Sequence, residues 1–163
     1  MSINQSFVGR RFESDHVYEV GREKIREFAT AVGASDSAHF ARSAAQALGY
    51  HDVVAPPTFP IVLTLEAELR IMADPELGLD FTKVVHREQR FVHHRAVLAG
   101  DRLRTTVIVD AIRVAAGNDV VTTRTEVTAE DGSAVVTGYS TVVARGTAEQ
   151  APVSERSDVG VEP

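Results

Sequence analysis

Asp36 and His39 stand three residues apart in a polar turn, Gly33-Ala34-Ser35-Asp36-Ser37-Ala38-His39. A carboxylate and an imidazole at that spacing can pass a proton between them and a substrate carbon or hydroxyl. Ten residues after His39 comes Gly49-Tyr50, then a short apolar run, then Ala55-Pro56-Pro57-Thr58-Phe59. The double proline opens a long apolar stretch, TFPIVLTLEAELRIM, that reads as a helix over 58–72 with Pro60 in its first turn. The first amides of a helix lack intrahelical partners, so Thr58 and Phe59 N–H can donate to an oxygen that gains negative charge. From spacing alone, Asp36 and His39 are more often a turn with its cap than a catalytic pair.

The other histidines are scattered. His93 and His94 are adjacent on an expected strand and point to opposite faces, so they cannot chelate one metal together. No carboxylate and histidine spacing suggests a metal site. Cysteine is absent, which removes disulfides, thiolate metal sites and a cysteine nucleophile. No cofactor is implied.

The elements that must position Asp36 and His39 follow from periodicity. Residues 1–15 read as an extended lead-in anchored by Phe7, Val8 and Phe12, followed by a short strand at 16–20. Ile25, Phe28, Ala29 and Val32 fall at i, i+3, i+4 and i+7, giving an amphipathic helix over 22–32 that Gly33 stops. A short Ala-rich helix lies within 37–48. The 58–72 helix is apolar for most of its length and is expected to be buried, with Ile61, Leu63, Leu65 and Leu69 inside.

After Thr82 the period becomes two. Runs at 83–93, 102–114, 120–129 and 134–144 are rich in Val, Thr and Ile and read as strands. Gly100-Asp101, Gly117-Asn118 and Asp131-Gly132 are the turns between them. Helices followed by a strand meander predict an α+β fold: a bent antiparallel sheet around one central helix. Such a sheet leaves open edges, so a dimer is expected.

One domain is expected over 1–146, and 147–163, poor in large apolar residues, reads as a disordered acidic tail. The 163-residue chain carries a formal net charge of -6, which argues against a nucleic-acid or anionic-membrane partner. No stretch is apolar enough to span a bilayer or act as a secretion signal, so a soluble cytoplasmic protein is expected.

Taken together, the GASDSAH turn, the APPTF segment and the strand His86-Arg87-Glu88-Gln89-Arg90-Phe91 followed by Ala99-Gly100-Asp101 resemble the MaoC-like (R)-specific enoyl hydratases and (3R)-hydroxyacyl-ACP dehydratases. The likeness spans roughly residues 7–145 and is to the N-terminal, FAS1-like dehydratase type. It implies a hotdog fold and reversible hydration of a trans-2-enoyl thioester carried on coenzyme A or acyl-carrier protein.

In that family a G-D-x-N-P-[LIV]-H motif handles protons, and an N–H from a His-Gly step at the central helix faces the thioester oxygen. Gly33 and His39 match; Ala34 stands at the Asp position and Asp36 at the Asn position. Pro56-Pro57 replaces the His-Gly step, and proline has no N–H to give. The resemblance therefore implies His39 as base, Asp36 as second proton carrier, and Thr58 or Phe59 N–H as oxyanion donor. Pro57, Leu63 and Arg90 join Thr58 and Phe59 as substrate contacts, and Arg87 and Arg95 can also meet a phosphopantetheine or acidic carrier.

It also implies a subunit relying on a homodimeric or heterodimeric hotdog partner for much of the chemistry. Two other functions fit a hotdog: a non-catalytic acyl-thioester-binding protein, and a thioesterase using Asp36 or Glu66 to activate water.

Overall fold

The computed structural model describes residues 3–148. Six strands form one antiparallel sheet: β1 (Arg11–Glu13), β2 (Tyr18–Glu19), β3 (Val84–His93), β4 (Arg102–Ala115), β5 (Asn118–Ala129) and β6 (Ala134–Ala144). Their order is β1-β4-β5-β6-β3, with β2 also pairing on β4. The long strands alternate in burial, as in Asn118–Ala129, so one face packs inward. Three helices complete the fold: α1 (Arg22–Ala31), α2 (Arg42–Ala47) and α3 (Ile61–Met72). This is the α+β hotdog arrangement, with α3 lying against β4 and β5.

Close approach of α3 to the sheet depends on Gly138 of β6. A Cβ there would stand 3.2 Å from Phe91 Cε1 and 3.4 Å from Thr64 Cγ2. One apolar cluster, built around Phe59, Leu63, Leu103 and Val135, packs at the start of α3. A second, around Phe7, Leu77, Val109 and Val121, packs at its end.

Several expectations need adjustment. The central helix starts at Ile61, not at residue 58, because Pro56–Pro60 forms successive tight turns: Phe59 N–H bonds Pro56 O and Ile61 N–H bonds Thr58 O. Nor is α3 buried all round. Leu63, Thr64, Glu68, Ile71 and Met72 face inward, while Leu65 and Leu69 are about 40% exposed. On α1, Ile25 and Ala29 are buried but Val32 is exposed, since it is already the C-cap. Gly33 ends α1 at φ +70, bonding Thr30 O while Ala34 N–H reaches Ala29 O.

The first fifteen residues include β1, a strand the sequence pattern did not mark, and of their anchors Phe7 is fully buried but Val8 is exposed. The strand expected at 16–20 shrinks to Tyr18–Glu19. The β4–β5 turn centres on Ala116-Gly117, both at positive φ, one residue earlier than expected. Of the expected tail, 149–163 lies outside the described residues, whereas Thr147 is tied by its hydroxyl to Asp119.

Candidate active site

A buried carboxylate ties the chain between α1 and α3 back to the start of α1. Asp52 is buried and receives both Nε and Nη2 of Arg22, at 2.8 and 2.7 Å, plus the Val53 N–H at 2.7 Å. The Arg22 hydrogen bond holds its carboxyl far below the usual carboxylate range. This fork fixes the start of α1 to the strand-like segment Asp52–Ala55, which pairs with the 97–99 loop through Ala55 N–H to Val97 O and Ala99 N–H to Val53 O.

On that frame sits His39. It ends a short 3-10 turn, Ser37–His39, whose N-cap is Asp36. The half-buried ring places Nδ1 2.7 Å from the Val54 carbonyl oxygen. A carbonyl only accepts, so Nδ1 carries the proton and the neutral ring keeps its lone pair on Nε2. A backbone contact thus fixes the orientation of the His39 ring, with Nε2 as the nitrogen left to accept. Asp36 is not its partner: its carboxylate is exposed and accepts from Ala38 N–H at 2.9 Å, as a cap does.

The helix-start donors divide. Phe59 N–H is already engaged by Pro56 O at 2.9 Å, and its ring is fully buried, edge-on to Phe28 at 5.5 Å. Thr58 is exposed, and its N–H makes no hydrogen bond among the described residues. Pro57 offers only its carbonyl. That oxygen accepts from His93 Nε2 at 2.8 Å, so β3 clamps the double-proline turn. His94, on the other face, bonds Thr137 Oγ1 at 2.9 Å instead.

The remaining sequence candidates lie apart from this turn. Leu63 is buried in the core, beside a cleft also lined by His16, Tyr18, Glu66 and Arg70. Arg90 is exposed on β3, its guanidinium 4.1 Å over the Tyr139 ring. Arg87 is exposed, and Arg95 forms a fork with Asp101 at 2.7 and 3.0 Å. Glu66 pairs with Arg70 at 3.1 Å on the surface of α3. Among the described residues, no group of His, Asp and Glu is arranged to hold a metal ion. No helix there is long and apolar enough to cross a membrane.

Two features escape the sequence pattern. The clamp by His93 joins residues 36 apart, which local spacing cannot show. The other is Glu68, buried on α3 at 3% exposure, with Thr125 Oγ1 donating to its carboxylate at 3.0 Å. Burial pushes its carboxyl pKa up, against the hydrogen bonds from Ser140 and Thr125. Its one visible signal is a carboxylate on the inward stripe, four residues after Thr64.

Comparison with known proteins places this arrangement. Residues 6–138 match the FAS1-like dehydratase domain region. An UPF0336 protein of Saccharopolyspora erythraea is 54% identical over 149 residues, covering 91% of this chain and 96% of that protein. Another from Streptomyces avermitilis is 50% identical over 91% of this chain and 99% of its own.

Among solved structures, the C-terminally truncated HadBC (3R-hydroxyacyl-ACP dehydratase) complex from Mycobacterium tuberculosis superposes with TM-score 0.77 at 36% identity. That match covers 84% of this chain and 96% of the matched one. A MaoC-like dehydratase superposes with TM-score 0.80 at 37% identity, covering 85% of this chain but 42% of the other. With the family's domain matched over most of its length, the chain belongs to the FAS1-like dehydratase domain family of MaoC-like hotdog proteins.

Proposed function

We propose that this chain is one subunit of a (3R)-hydroxyacyl thioester dehydratase, acting on coenzyme A or acyl-carrier-protein thioesters, whose hotdog partner supplies most of the chemistry. The dehydration removes a proton from C2 and hydroxide from C3; hydration is its reverse. That requires a base, a proton carrier for the C3 oxygen and a donor to the thioester oxygen. Here the base position is filled by His39, with Nε2 left as the acceptor.

The observation that carries the proposal is the incompleteness of the rest. Asp36 is spent as a cap, Ala34 has no carboxylate and Pro57 has no N–H. Only Thr58 N–H remains to face an oxyanion. A lone, oriented histidine supports a site completed from outside the chain, since removing members of a catalytic set costs orders of magnitude in rate.

A partner also suits the surface. β3 is the edge of the sheet and ten residues long, an open ladder that a second sheet would extend. Beside it, Leu69, Phe81 and Val85 are 39%, 51% and 43% exposed. The HadBC structure, at 36% identity, is itself a complex of dehydratase subunits.

The test is hydration of crotonyl-CoA and of a long-chain enoyl-CoA by the purified chain, alone and mixed with a hotdog subunit bearing an intact Asp/His motif. The expected result is little turnover alone and restored turnover in the mixture. Full turnover by the chain alone, abolished in His39→Ala, would overturn the reliance on a partner. Tight acyl-CoA binding without turnover in either sample would instead identify an acyl-binding protein.

A further inference from the structure

The N-terminal segment leaves β4 between its two short strands. β1 ends with Glu13 opposite Thr106 and β2 begins with Tyr18 opposite Leu103, so four residues, 14–17, run past only Arg104 and Thr105. The surplus bulges away from the strand. Beneath it, Ala67 is the one small side chain on the flank of α3 that also carries Leu63, Glu66 and Arg70. The result is a cleft of about 60 Å³, room for about four water molecules. The exposed Leu65 and Leu69 turn to another side of the helix.

This cleft has an apolar floor, formed by Phe12, Leu63, Ala67 and Leu103, and polar walls. Three hydroxyls stand around it, from Ser14, Tyr18 and Thr105. Thr105 sits opposite the buried Val127 on the inner face of the sheet and is only 6% exposed. Its hydroxyl has no hydrogen-bond partner among the described residues, and a hydroxyl that deep costs stability unless something in the cleft bonds it. Ser14 is fixed beside it: its N–H donates to Thr105 O at 2.8 Å, and its Oγ accepts from Thr105 N–H at 3.2 Å. That leaves the Ser14 oxygen a second lone pair.

Charge selects the kind of ligand. The carboxylates of Glu13 and Glu66 line the cleft, and His16 stands at its rim. Arg70 lines it too, but its guanidinium is shared between Glu66 at 3.1 Å and Asp15 at 3.5 Å. Three carboxylates against one guanidinium disfavour an anion. The Tyr18 phenol meets the same field: burial first, then the charges of Glu27 and Glu66, raise its pKa, so it keeps its proton. A primary ammonium has three N–H donors and no acceptor, the complement of hydroxyl oxygens and a carboxylate.

We propose that this cleft binds a short primary alkylammonium ion, its alkyl chain on the Ala67 floor and its ammonium between Glu66 and the hydroxyls of Ser14, Tyr18 and Thr105. The inference is independent of the dehydratase reading and of the open edge at β3.

The chain has three tyrosines, Tyr18, Tyr50 and Tyr139, and of these only Tyr18 lines the cleft. Ring-labelled tyrosine, its signals assigned with Tyr18→Phe, therefore gives a direct NMR reporter. The probes are n-propylammonium, n-propanol and propionate at constant ionic strength: one chain length with a positive, a neutral and a negative head. Propylammonium should shift Tyr18 saturably with a Kd of about 1 mM, within reach of so few heavy atoms. It should bind at least about tenfold more tightly than propanol, and propionate should not shift the signal.

Ala67→Leu, which fills the floor, should abolish the shift. Glu66→Gln should weaken propylammonium about tenfold, whereas Arg70→Gln should strengthen it by about threefold by freeing Glu66 and removing a like charge. Should Ala67→Leu fail to fold, Glu66→Gln decides, since that side chain is on the surface. No saturable Tyr18 shift with propylammonium, equal or tighter binding of propanol or propionate, or an affinity untouched in Glu66→Gln would overturn the proposal. So would loss of binding in Arg70→Gln, the behaviour of an anion site.

Discussion

His93 Nε2 lies 2.8 Å from the carbonyl oxygen of Pro57, joining the edge strand of the sheet to the turn that launches the central helix. Pro57 has no N–H to donate, and its carbonyl accepts from the protein instead. The same turn orients Thr58, the one exposed donor at the start of α3. Anchoring it needs one imidazole N–H.

Replacing His93 by Ala should therefore destabilise the fold by about 1 kcal/mol, the usual net value of one hydrogen bond. The loss should be local, with amide exchange accelerating at Phe59 and Ile61, whose N–H groups close the turn, and not at α1. Urea unfolding and hydrogen exchange together check this; unchanged exchange at both amides would count against the clamp.

Assembly gives a second expectation. Leu69 and Val85 lie on the exposed faces of α3 and β3 beside the open edge. Leu69→Lys or Val85→Lys should raise the dissociation constant of the assembly by at least about thirtyfold, the effect of losing one interface anchor. The circular dichroism of the monomer should not change, since neither side chain is in the core. Sedimentation velocity over a concentration series measures it.

Much of this architecture was legible in the residues. The Ile25-Phe28-Ala29 stripe, Gly33 and the Val/Thr alternation after Thr82 each state a local period, and local periods survive into the fold. Where expectation slipped, a tertiary contact had overridden a local one. Thr58 reads as helix, but the two prolines and the His93 clamp hold 57–60 as turns. Leu65 and Leu69 look like core, yet they face a side of α3 that the sheet of this chain does not cover. The site was half visible: His39 by its motif, but not its tautomer, which depends on Val54 fifteen residues away. Glu68 showed only as a carboxylate on the inward stripe, because its partners Thr125 and Ser140 come from separate strands.

Asp52 should govern acid stability of the segment that carries His39. Its carboxyl pKa is lowered from the ordinary value of 3.8, first by the Arg22 hydrogen bond. A depressed carboxyl contributes stability that is complete above the unfolded value and is lost as pH falls through the folded one. Asp52→Asn should thus cost on the order of 1–2 kcal/mol at pH 7, held down by the solvent exposure of Arg22. The gap to the parent should close only below about pH 4, the range set by the unfolded carboxylate. Thermal unfolding across pH 2.5 to 7 reads this out, and a gap unchanged at the acid end would exclude Asp52 as its source.

Glu68 should act in the opposite sense. Burial raises its carboxyl above the ordinary 4.5, with hydrogen bonds from Ser140 and Thr125 and the nearby His86 opposing that shift. A carboxyl whose folded pKa is raised favours the folded state when protonated. Its contribution is complete below the unfolded value and declines as pH rises through the folded one. Glu68→Gln keeps the shape and the hydrogen bonds and removes the charge, so it should match the parent at pH 4 and exceed it in Tm at pH 8. The two melting curves should separate progressively above about pH 4.5, where an ordinary glutamate begins to ionise. A parallel offset at every pH would mean that the substitution acts through packing. A crossing in the other direction would mean that the site stabilises the carboxylate and that burial is not the dominant influence on Glu68.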